Sequence, residues 1–175
     1  MKRPRPFVRI ILAATFVGIA LAAGRWLSLE LSPPKFNPAP YLGAWRGHWI
    51  TESGRQGAVD LEVESDGDVL RFYYSFDDVT TAGLPTQTEH LEASIRGSRA
   101  IIDEHPSDVF GKITGTIDEH GSVELECEDI PGIAERLTAR GAWSSSSAAI
   151  TVSVTYGEHL GVGQYVVKLD PHGRD

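Results

Sequence analysis

From Leu42 onward the side chains of this chain alternate, apolar against polar, in short stretches separated by turn residues. A period of two puts alternate residues on opposite faces of a strand, so a chain written this way folds as half-buried β-sheet rather than as helix. The first such stretch, Leu42–Ile50, carries Trp45, Gly47 and Trp49 on one face and Ala44, Arg46 and His48 on the other. The pattern returns in 57–64 (Val59, Leu61, Val63) and, after the Ser65-Asp66-Gly67 turn, in 68–76 (Leu70, Phe72, Tyr74, Phe76). Leu91, Ala93 and Ile95 share a phase, and a short strand is predicted at 99–102. Further strands are predicted at 109–117, 122–128 and 136–143, then around Ile150, Val152, Val154 and Tyr156, and at 164–169.

Eight to ten consecutive strands joined by turns fit a sandwich or an up-and-down barrel. Two features favour the barrel. The connections are short, without the long return of a Greek key. Gly47, Gly111 and Gly115 also fall in phase within strands, where a sheet bends at barrel corners. The expected fold is therefore all-β: an antiparallel up-and-down β-barrel of about eight to ten strands. A barrel of this size has room inside for one small ligand.

The strand pattern occupies only part of the chain. Residues 1–9 are basic, with Lys2, Arg3, Arg5 and Arg9, and an apolar run follows from Ile10 to Gly24. Ala20-Leu21-Ala22 then offers a small-x-small cleavage site. The run is shorter than the roughly 20 residues of a full span. Residues 1–24 thus read as a signal peptide, with a retained inner-membrane anchor as the alternative. Either way the domain is expected to be exported, to the periplasm or beyond the cell. Residues 25–41, with Pro33, Pro34, Pro38 and Pro40, read as a semi-rigid spacer. The barrel is expected over 42–170 and a tail over 171–175.

Charge narrows the partners. Without the four basic residues of the leader, 12 of the 16 Lys+Arg remain against 24 acids, a formal charge of −12. A domain this acidic repels phosphate backbones, so nucleic acid is not an expected partner. The single cysteine, Cys127, is in step with Val123 and Leu125 and reads as a small buried apolar residue. With no second cysteine the fold must stand on its core alone.

Gly43-Ala44-Trp45 on the first strand resembles the Gly-x-Trp signature of the lipocalins and their relatives, the calycins. That resemblance implies a barrel whose Trp closes the base, with a cationic side chain from the last strand packed over it. Trp45 and Lys168 are the matching positions, Lys168 standing where the family usually has Arg. The middle Thr-Asp-Tyr signature and the helix after the barrel have no counterpart here. The resemblance implies binding of small apolar ligands.

Candidate sites follow from the phase of the strands. The inward set, Trp49, Phe72, Tyr74, Phe76, Leu125, Val152, Val154 and Tyr156, is the expected cavity wall, and a packed core is the competing reading. Arg46 and His48 are expected to face outward. Ser144–Ser147 is a polar turn without a nucleophile elbow. Asp103-Glu104-His105 and Asp118-Glu119-His120 offer oxygen and imidazole ligands. They flank one strand and so lie at opposite ends of the barrel, each as a hairpin turn. Some calycin barrels bind haem through a histidine late in the chain, so that resemblance implies His159, in a late loop, as a candidate axial ligand; a solvent-exposed histidine is the simpler reading. No metal or cofactor is expected, and no constellation points to an enzyme.

Loop lengths give direction. Alternate connections of a meander lie at opposite ends, so the long loops should share one rim. That rim should be acidic through Asp77, Asp78, Asp103, Asp108 and Asp129, and attractive to cationic amphiphiles or a basic surface. The expected function is an exported lipocalin-like barrel that binds a small hydrophobic or amphiphilic molecule. The alternative is a ligand-free envelope module that meets a protein partner through its acidic loops.

Overall fold

A computed structural model describes residues 35–77, 88–132, 134–157 and 162–173. The leader 1–24, the spacer up to residue 34, Asp78, Glu158, His159 and the last two residues of the tail lie outside the described residues. Ten strands follow one another in chain order: β1 Gly43–Thr51, β2 Gln56–Asp66, β3 Val69–Phe76, β4 Thr88–Arg96 and β5 Arg99–Ser107. Then come β6 Gly111–Asp118, β7 Ser122–Glu128, β8 Ala134–Trp143, β9 Ala148–Tyr156 and β10 Val162–Pro171. Each pairs antiparallel with its neighbour in sequence, and β1 pairs with β10, so the sheet closes on itself. No helix occurs among the described residues.

Closure removes both free edges, which an open sheet of this length would leave unpaired. It also demands close approach of backbones where the sheet coils. At Gly47 a Cβ would lie 1.7 Å from the Lys168 carbonyl oxygen, so only glycine lets β1 reach β10 there. The inward phase of every strand supplies the core, from Trp45 and Trp49 on β1 to Val167 and Leu169 on β10. The outward phase is polar and cross-linked by exposed ion pairs, among them Arg46 with Asp60, Arg71 with Glu92 and Arg136 with Glu126. Arg46 and His48 are outward, as the alternation predicts.

Several strand ends shift by one or two residues from the sequence reading, and three further differences change what a segment does. The packed domain begins at Lys35, not 42. Phe36 and Tyr41, in the expected spacer, are only 5% and 4% exposed. They stack at 5.4 Å, and the Phe36 N–H donates to the Gly97 carbonyl in the β4–β5 turn. At the other end, Pro171 belongs to β10 rather than to a tail, and the His172 N–H donates to the Ala44 carbonyl. The third difference is β5, which runs on to Ser107 through Pro106. Asp103-Glu104-His105 is not a hairpin turn but a bulge, with a register shift between Ile102 and His105 and Glu104 at φ 46°. Above Ser94 and Ile101 the β4–β5 ladder stops, and the His105 ring bonds the His90 carbonyl at 3.0 Å across the seam. Asp118-Glu119-His120 does form a turn, closed by the Asp118 carboxylate accepting from the amides of His120 and Ser122.

Candidate functional site

The antiparallel order places the connections β2–β3, β4–β5, β6–β7 and β8–β9 at one end of the barrel and the other five at the other, where the longest, β3–β4, lies; β5–β6 is short because β5 runs on to Ser107. The tight-turn end is closed by aromatic rings. Trp45 is fully buried there, and its indole N–H donates to the Tyr41 carbonyl at 2.8 Å. Trp143, from the end of β8, meets Trp45 and Tyr41 edge-on at 5.3 Å each. Its own indole nitrogen is buried with no hydrogen-bond partner. Phe72 lies beside it at 6.2 Å. The lipocalin resemblance assigned the cover over Trp45 to Lys168. Lys168 instead faces solvent, opposite His48, because it is in the outward phase of β10 while Val167 and Leu169 point in. Rings from the segment before β1 and from β8 take its place.

Above this floor lies a cavity of about 230 Å³. Its wall is apolar, and all eight residues of the expected inward set line it: Trp49, Phe72, Tyr74, Phe76, Leu125, Val152, Val154 and Tyr156. Cys127 also lines it; burial, and then the nearby Glu126, push its thiol up to about 12. Trp143, Phe110 and Tyr165, outside the expected set, line it too.

Two aromatic clusters mark the long-loop rim. On one side Tyr74, Phe76 and Phe110 meet at about 6 Å. A carboxylate pins this cluster. Glu89 accepts from the Tyr74 hydroxyl, the Ser107 hydroxyl and the Val109 amide, which ties the β5–β6 connection to β3 and β4. Glu89 is in phase with Leu91 and Ala93, and an acid on the apolar face of a strand was its signal in the sequence. On the other side Trp49 donates its indole N–H to the Asp77 carbonyl at 2.9 Å and meets Tyr165 edge-on at 6.2 Å. Gly57, opposite Trp49, gives the indole its room, since a Cβ there would lie 2.5 Å from the indole nitrogen. The Tyr165 and Tyr156 hydroxyls bond each other at 2.8 Å.

Of the acids expected at this rim, Asp77, Asp108 and Asp129 are exposed at or beside its connections. Asp103 is not there. It sits on the outer wall of β5, paired with Arg96, because the strand continues where a loop was expected. No group of three or more metal-ligating side chains occurs among the described residues.

The buried phenols and thiol make stability fall in alkali. Burial, and then the Glu89 carboxylate, raise the Tyr74 phenol; burial, and then the bond to Tyr165, push Tyr156 up to about 12. A group whose folded value is raised contributes fully below its unfolded value and loses that contribution as pH climbs to the folded one. Stability should therefore hold to about pH 9, where an unfolded thiol ionises, and decline from there toward pH 12. Thermal midpoints at pH 8, 9.5 and 11 check this; a flat profile would place these groups in water.

The fold defined by these features is a closed ten-stranded antiparallel barrel with an apolar interior. No known protein family matches the chain, and no curated protein does. Among solved structures the barrel resembles a protein of unknown function of the DUF3598 family from Nostoc punctiforme, with 17% identity and a TM-score of 0.54 over 80% of this chain. This chain spans half the length of that protein. It also resembles Rv2717c from M. tuberculosis, with 14% identity and a TM-score of 0.52 over 78% of this chain and 98% of that one. An S-type phycobiliprotein lyase from Guillardia theta matches at 10% identity and a TM-score of 0.47, over 78% of this chain and 90% of that one.

Proposed function

We propose that this barrel binds one small hydrophobic or amphiphilic molecule in its interior. The cavity carries the reading. Protein cores normally fill space at the density of organic crystals, and unfilled apolar volume weakens a fold by roughly 24 cal/mol per Å³. The space of about 230 Å³ between the Trp143 floor and the rim exceeds the about 150 Å³ of an apolar cavity that holds benzene. A purely structural barrel gains nothing from it. The position of Trp45 at the closed base supports the lipocalin-like reading of the chain, and the exposed Lys168 departs from it. The order of basic, apolar and small residues in the leader supports export to the periplasm or beyond, by cleavage or with residues 10–24 as a tether.

The test is saturable binding of the neutral fluorophore N-phenyl-1-naphthylamine. One equivalent is expected to bind, quenching Trp49. Val152→Phe, which fills part of the space, should weaken the fluorophore about tenfold or more, since overpacking of this kind costs ~1–3 kcal/mol. A folded protein that binds no fluorophore would return the interior to a packed core.

A further inference from the structure

Resting on that reading, we propose that the ligand is uncharged and that its hydrogen-bonding group is met by the Tyr156–Tyr165 hydroxyl pair. The cavity wall holds no charge to receive an ion: none of its lining residues is acidic or basic, and the half-buried Glu89 behind Tyr74 already accepts from Tyr74, Ser107 and Val109. The cations stand outside. Arg46, Arg71, Arg96, Arg136 and Arg140 pair with acids on the outer wall, and Lys168 faces solvent. Arg55, in the β1–β2 turn, is exposed and lines a surface depression with Gly163 and Tyr165, outside the cavity wall; it is the cation nearest the pair among those named. A carboxylate drawn into this space would lose its water and gain no partner. The exposed acids Asp77, Asp108 and Asp129 beside the rim add repulsion on the way in.

The polar atoms around the cavity can be taken one by one. Trp49 donates to the Asp77 carbonyl, Tyr74 donates to Glu89, and Trp45 donates to the Tyr41 carbonyl below the floor. The Trp143 nitrogen is buried among the floor rings. Tyr156 and Tyr165 differ. Two hydroxyls that bond each other spend one hydrogen between them, which leaves the second hydrogen and the remaining lone pairs for a third group. The pair is built into the barrel. A Cβ at Gly163 would lie 3.2 Å from Tyr156 Cε2 and 3.4 Å from Tyr165 Cε2, so the glycine makes the space in which both rings lie. Trp49 then fixes Tyr165 from the side. A hydrocarbon body in the cavity with a hydroxyl or carbonyl at this pair gives its spare hydrogen or lone pairs a partner and leaves the Trp49 and Tyr74 bonds intact; the Trp143 nitrogen, among the floor rings, gains none. The ligand class is a small neutral amphiphile such as an alcohol, aldehyde, ketone or ester.

The experiment is displacement of N-phenyl-1-naphthylamine from the full-length chain at pH 8 by 1-octanol, octanoate and octylamine, which share a tail length and differ in charge. 1-Octanol is expected to displace it, octanoate about tenfold less well or worse, and octylamine less well than the alcohol. In the Tyr156→Phe, Tyr165→Phe double variant the affinity for 1-octanol should fall about three- to tenfold, the worth of one neutral hydrogen bond. The fluorophore's own affinity is measured on that variant, and the fall is read for 1-octanol relative to it, since both tyrosines also line the wall. Octanoate as effective as the alcohol, with that binding lost in Arg55→Ala, would overturn the proposal in favour of an anion held at the turn. Octylamine tighter than the alcohol would overturn it in favour of a cation drawn by the acidic rim. Unchanged 1-octanol affinity in the double variant would also overturn it. Failure of the fluorophore to bind the unaltered protein is a different result: it removes the cavity reading on which the inference stands.

Discussion

Gly47→Val is expected to abolish the folded barrel. The Cβ it adds would fall 1.7 Å from the Lys168 carbonyl oxygen, 2.7 Å from its carbonyl carbon and 2.9 Å from the Leu169 Cα. These are backbone atoms of β10 in the ladder that closes the sheet, so no side chain can swing aside to relieve the clash. Relief requires β1 and β10 to part, which would open both strands' edges and uncover Trp45. A loss above about 4 kcal/mol is expected, in the range that only a few mechanisms reach. Gly54→Ala serves as the contrast. Gly54 holds φ 82° in the β1–β2 turn, and a Cβ there would have nothing within 4 Å, so only about 1–2 kcal/mol of backbone strain is expected. Circular dichroism and thermal unfolding of the two variants decide the matter; a cooperative transition near the unaltered midpoint in Gly47→Val would show that the barrel is not closed at this seam.

Trp45→Ala is expected to cost ~3–5 kcal/mol, the range for emptying a large aromatic site in a core. The indole is 0% exposed, donates to the Tyr41 carbonyl at 2.8 Å and supports Trp143 edge-on at 5.3 Å. Its removal therefore takes away the seat of the ring that floors the cavity as well as its own packing. Against a total of about 5–15 kcal/mol for a domain, the thermal midpoint should drop by ten degrees or more. A drop of one or two degrees would mean that the floor stands without Trp45.

The strands and the inward set were legible because alternation is a local signal, and closure simply carries every inward residue to one interior. Phe72, Tyr74 and Val152 needed no knowledge of their partners to be placed on the wall. What was hidden depended on partners distant in sequence. Phe36 and Tyr41 stand among prolines and have no period, so their burial comes from the Gly97 turn and the Trp143 ring they meet. Trp143 ends a strand whose inward residues include the small Ala139 and Gly141, so its phase drew no notice. Lys168 fell to parity: one residue along β10 either way points inward. Asp103 was misplaced because Pro106 reads as a breaker, whereas the β4–β5 ladder has already ended there and asks nothing of a proline amide. Glu89 was visible as an acid in an apolar phase, but its partners Ser107 and Val109 are set by the bulge of β5, which alternation does not encode.

The seam between β1 and β10 also sets the order of assembly. It pairs Trp45 with Pro171 and Thr51 with Tyr165, nearly the whole length of the barrel apart in sequence, whereas every other seam joins neighbouring strands. Hairpins from β1 to β9 need only neighbouring segments and can form before β10 is available. The seam cannot, because its second strand comes last in the chain, and a contact of such sequence separation is slow to form. Until then the growing sheet carries two unpaired edges, the kind of surface that recruits other chains. The time between pairing of β9 and pairing of β10 is thus the interval in which this protein is most exposed to aggregation, and the one in which a chaperone would have most to do.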